Sequence, residues 1–99
     1  MIAVEQTQFH SNKDMTNDAR IVKALGHPIR LKILMILNRN ECNVKHLWEC
    51  IGIEQASISQ HLAVLRKRAI INSSRRGAEM RYTIVNPLAQ KIIAALTQN

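Results

Sequence analysis

Residues Asn43 to Arg66 read N-V-K-H-L-W-E-C-I-G-I-E-Q-A-S-I-S-Q-H-L-A-V-L-R, and their spacing decides the fold. Asn43 suits an N-cap. Val44, Leu47, Trp48 and Ile51 then fall at i, i+3, i+4 and i+7, the apolar face of a short helix. Gly52 ends it. Three residues later a second periodic run begins, with Ile58, Leu62 and Leu65 at i, i+4 and i+7 and with Gln55, Ser57, Ser59, Gln60 and His61 on its other faces. Two short helices across a tight glycine turn predict a helix-turn-helix.

A solvated helix face is ordinarily rich in Glu and Lys, but the outward residues of this second helix are almost all uncharged hydrogen-bonders. Reading bases requires such groups: Gln pairs bidentately with adenine, and Ser addresses donors or acceptors on a base edge. Ser57, Ser59, Gln60 and His61, with Gln55 beside them, form the candidate reading set. Arg66, Lys67 and Arg68 follow at once and suit phosphates, which argues against a face that merely fronts solvent.

Charge points the same way. Fourteen Lys and Arg against seven Asp and Glu give a net +7, the signature of a polyanionic partner. Residues 55 to 83 hold six basic residues (Arg66, Lys67, Arg68, Arg75, Arg76, Arg81) and one acidic residue, Glu79, a local net of +5. Phe9, Trp48 and Tyr82 are the only aromatic residues, too few for the stacking platforms that hold single strands, so duplex DNA is the expected partner.

The resemblance is to the ArsR/SmtB family of winged helix-turn-helix repressors. It runs in register from Glu41 to Leu62 and centres on the S-Q-H-L of Ser59 to Leu62. Upstream, A-L-G-H-P-I-R-L-K-I-L (Ala24 to Leu34) is similar to the family's opening motif, and R-R-G-A-E-M-R-Y (Arg75 to Tyr82) to its wing. Together these span roughly Asp18 to Val85. The resemblance implies a mainly α fold with a small β-hairpin, about five helices plus a two-stranded wing, in one domain over 1–99. It further implies a homodimeric repressor acting on an inverted-repeat operator.

Around that centre, residues 1–13 form an arm carrying Ile2, Val4 and Phe9, either a helix on a partner or a frayed end. Asp14 or Thr16 offers a cap to a helix holding Ala19, Ile21, Val22, Ala24 and Leu25, which Gly26 ends. Pro28 opens the next, apolar nearly all round from Ile29 to Leu37, and this is the predicted centre of the core. Ala69 to Ser74 and Glu79 to Val85, about the Arg76-Gly77 turn, read as the wing hairpin. Arg75 and Arg76 at its tip can enter a minor groove or grip phosphate, with Arg81 in support. Asn86 and Pro87 begin a last helix over 86–99 whose apolar stripe is wider than an intramolecular neighbour covers. In the family the first and last helices make the dimer, which puts Leu88, Ile92, Ile93 and Leu96, with Ile2, Val4 and Phe9, at the expected interface.

Metal-sensing relatives place cysteines where this chain has Asn43 and Lys45, and ligands on the last helix where it has none. No metal or cofactor is expected, and His46 with Cys50 is at most a two-ligand fragment. Cys42 and Cys50, if on one helix, lie about 12 Å apart. That is beyond disulfide reach of roughly 7 Å. They read as small buried hydrophobes, with a reactive thiol tuned by Lys45, His46 or Lys67 as the alternative. Neither paired carboxylates nor a phosphate loop nor a nucleophile elbow occurs, so neither an enzyme nor a small-molecule substrate is indicated. Without an apolar run near 18 residues or a leader, the expected setting is cytoplasmic, with no membrane association. A thiol- or metal-responsive repressor, or a winged-helix protein-interaction module with weak DNA affinity, are the alternatives.

Overall fold

Pro28 fixes where the central helix begins, because its ring pre-sets the first helical turn and its missing N–H costs nothing there. In a computed structural model, which describes residues 14–39 and 42–98, that helix is α2, Pro28–Arg39. His27 caps it: the Ile29 N–H donates to His27 Nδ1 at 3.1 Å, and the Leu31 N–H to the His27 carbonyl at 2.9 Å. Before it lies α1, Thr16–Leu25, begun by Asp14, whose carboxylate accepts from the Thr16 N–H and hydroxyl. Gly26 ends α1 at φ −79 with its N–H on the Lys23 carbonyl, so its use there is not the left-handed cap that a terminal glycine suggests.

The chain then forms β1 (Cys42–Asn43), α3 (Val44–Ile51), α4 (Gln55–Lys67), β2 (Ile71–Arg76), β3 (Glu79–Ile84) and α5 (Pro87–Thr97). The fold is a winged helix-turn-helix with five helices and an antiparallel hairpin among the described residues. A third strand was not anticipated: β1 pairs with β3 at Cys42–Tyr82 and Asn43–Arg81, giving the order β1-β3-β2. Two residues carry no period-2 signal, which is why the sequence shows Asn43 only as a cap.

Ile33, Leu34 and Leu37 of α2 are buried, and the helix touches α1, α3, α4, α5 and β3, so it is the core's axis as its apolar surround predicts. Ile58, Leu62 and Leu65 of α4, Ile70, Ile71, Tyr82, Ala89 and Ile93 close the core around it. Truncating a fully buried Leu or Ile of this kind to Ala costs about 2 to 5 kcal/mol, so α4 is held firmly through one face only.

Three expectations are corrected, two of them by burial. Trp48 is 41% exposed, because Leu47 turns fully inward on α3 and Trp48 stands beside that face. Ile93 is wholly buried with Ala89 at i, i+4 inside the protomer, so it belongs to the core and not to an intermolecular surface. The strand after α4 starts at Ile71 rather than Ala69, since Ala69 and Ile70 are used to end the helix.

Candidate nucleic-acid interface

α3 ends on Gly52 at φ 82, with its N–H donating to the Trp48 carbonyl at 2.9 Å; the positive φ is the reason glycine stands there. Glu54 is in extended backbone at the start of α4, and its carbonyl accepts the Ile58 N–H at 3.1 Å. With Ile58, Leu62 and Leu65 inward, Gln55, Ser59 and Gln60 are exposed and Ser57 half-buried on the first turns of α4. Arg66 and Lys67 are exposed in its last turn, and Arg68 forms its C-cap.

His61 stands apart from that set. Its ring lies 4.5 Å, centroid to centroid, from that of His27, and Arg30 Nη1 is 3.3 Å from its Nδ1. Arg30 is fixed from the other side by its Nε donating to the Ala24 carbonyl at 2.5 Å. Partial burial, then the neighbouring His27 and Arg30, hold the His61 imidazole below its ordinary value of 6.5 and so favour its neutral form. His61 thus ties α4 to the start of α2. Sequence reading missed this link, because nothing in the spacing of His27, Arg30 and His61 shows that two helix ends meet.

The wing turns at Gly77-Ala78, with Arg76 paired to Glu79 in register and Gly77 at φ 63, the first central position where a II′ turn needs positive φ. Arg75, opposite Met80, and Arg76 are exposed at the strand end. Arg81 Nη2 lies 3.4 Å from Glu79 Oε1, an exposed pair worth no more than about 1 kcal/mol. Arg81 also sits where β1 joins β3, which anchors the wing to the start of α3.

On α5, Leu88 and Ile92 are half-buried and Leu96 is 41% exposed, one stripe at i, i+4, i+8. Met15 and Val22, each 52% exposed, lie at i, i+7 beside and on α1, which packs against α5. The sequence reading passed over this pair in favour of Ile2, Val4 and Phe9, which lie outside the described residues. So do the side chains of Cys42 and His46; Cys42 belongs to β1, and Cys50, expected as a small buried hydrophobe, is instead exposed near the end of α3.

The same arrangement occurs in known proteins. Residues 27–73 match the model of the family described as bacterial regulatory protein, arsR family. The transcriptional repressor PagR of Bacillus anthracis is 34% identical over 83% of each chain. Its crystal structure superposes with a TM-score of 0.77, covering 83% of this chain and 94% of that one. The biofilm growth-associated repressor of Xylella fastidiosa is 35% identical over 91% of this chain and 79% of its own length. HlyU of Vibrio cholerae, 29% identical, has a TM-score of 0.82 over 88% of this chain and 95% of that one.

Proposed function

The chain belongs to the arsR family of bacterial regulatory proteins, and from that footing we propose that it is a homodimeric repressor that reads duplex DNA with α4 and blocks a promoter. The observation that carries this reading is the first half of α4: Gln55, Ser59 and Gln60 exposed, uncharged and mounted on a helix whose other face is locked in the core. Amides and hydroxyls in that setting are suited to base edges, where a contact contributes discrimination. Arg66, Lys67, Arg75, Arg76 and Arg81 supply the charge that positions the duplex without reading it. The repressors among its relatives support the sign of regulation.

Selection of bound sequences from random duplex DNA is the test, and an inverted repeat is the expected product. On the selected site, Gln60→Ala loses about 1 to 3 kcal/mol while random DNA is bound nearly as before, whereas Arg76→Ala weakens both. Equal losses on both for Gln60→Ala would remove α4 from the reading role.

A further inference from the structure

α1, α2 and the C-terminal end of α4 enclose a groove of about 310 Å³ lined by Arg20, Lys23, Ala24, Arg30, Val64 and Arg68. Four of the six are cations and none is an acid; Asp18, the acidic residue of α1, does not line it. Like charges converging on one groove repel unless an anion joins them. The carbonyl ends of α1 and α4 offset this only in part, by roughly half a charge each near Lys23 and Arg68. Arg30 meets the α1 end through one N–H only, on the Ala24 carbonyl, and Arg20 stands a turn before that end. Arg30 is also immobilised, with Nε on the Ala24 carbonyl and Nη1 against His61, so its remaining N–H groups are pre-aimed donors of the kind that suit phosphate.

We propose that this groove is a binding site for a phosphate group, held by Arg20, Lys23, Arg30 and Arg68. Its α4 residues, Val64 and Arg68, lie C-terminal to the reading residues, Val64 about 6 Å by helical rise beyond Gln60 and Arg68 about 12 Å beyond it. The phosphate comes either from a free phosphorylated molecule or from the DNA backbone beyond the half-site, and the two sources share the same chemistry. Only the second source rests on the DNA-binding reading. Because Arg30 touches both the groove and His61, an anion seated there is felt on α4.

The test uses the full chain, the groove variant Arg20→Gln with Lys23→Gln, and a control of equal charge, Arg39→Gln with Lys91→Gln, outside the groove. Pyrophosphate is titrated at constant ionic strength and followed by NMR. For a free ligand, backbone amides of residues 20–24, 30 and 64–68 shift saturably in wild type and control. Affinity falls at least tenfold in the groove variant. The His61 ring pKa rises on binding, since the anion neutralises Arg30, a response that a cluster serving only solubility does not give. For a DNA phosphate, the groove variant binds a duplex extended by one turn more weakly than the control does, with a log affinity against log salt slope shallower by about one per lost contact. On a duplex trimmed to the repeat the two are equal. The proposal is overturned if groove variant and control match in both measurements. A wild-type chain that binds no DNA defeats the regulator reading but leaves the pyrophosphate result to decide the groove.

Discussion

Gln60 and His61 are adjacent on α4 but are differently placed: one is exposed for a partner, the other turned back against His27 and Arg30. The second arrangement makes a pH prediction. His61 in the folded chain holds its proton more weakly than at its ordinary 6.5, so the unfolded chain takes up the proton first as pH falls. Stability is therefore full above about 6.5 and declines below it, levelling once the folded imidazole is also charged. Asp14 is lowered as well, by its bonds to Thr16, but its loss falls below 3.8 and is separate. Urea midpoints measured from pH 7.5 to 5 should fall for the wild type and fall less for His61→Gln, which keeps an acceptor for Arg30. An unchanged slope in the variant would assign the loss to another group. His27→Ala, which removes the acceptor for the Ile29 N–H, should cost about 1 kcal/mol at neutral pH.

The end of α4 shows what an element can hide from its sequence. Ala69 N–H donates to the Arg66 carbonyl at 2.9 Å and Ile70 N–H to the Leu65 carbonyl at 3.0 Å, a Schellman motif with buried Ile70 and Leu65 in contact range of one core. The motif puts Ala69 at φ 58, where glycine is the ordinary occupant. Ala69→Gly should raise stability by about 0.5 to 1 kcal/mol through relief of that strain, seen as a higher urea midpoint at unchanged slope. A lower midpoint would mean that the flexibility glycine gives the unfolded chain outweighs the relief. Glycine signals at 52 and 77 marked their turns correctly because there the residue type and the backbone agree; at Ala69 they do not, and the strand boundary was misplaced by two residues. The 3.6-residue period made the buried triad of α4 legible in full. It failed at Trp48 and Ile93, because periodicity gives the direction of a side chain and not what stands opposite it. The meeting of His27 with His61, and of Arg20 and Lys23 with Arg68, depends on how helices cross, which local pattern does not encode.

For the whole molecule the deciding quantity is surface. One helix reaches only a few base pairs, and a single module buries too little for tight specific binding, so the proposed function requires two copies. The described apolar residues left outside the core beside and on α1 and on α5 include Met15, Val22 and Leu96, with half-buried Leu88 and Ile92 packed against the core. Such a surface, apolar and on two helices that pack together, suits an isologous two-fold contact. It would set the two α4 helices about one DNA turn apart, roughly 34 Å, and so require half-site centres about 10 base pairs apart. Ile92 also packs on the core, so a charge there confounds unfolding with dissociation. Leu96 is the cleaner position, since its exposure in the protomer lets a folded monomer carry a carboxylate. In the dimer, Leu96→Asp buries that carboxylate twice without a partner. Sedimentation should then show a monomer whose circular dichroism matches the wild type, and binding to the inverted repeat should fall at least a hundredfold while binding to a single half-site changes little. A Leu96→Asp protein that sediments as a dimer and holds the full repeat normally would place the two-fold contact elsewhere on the molecule.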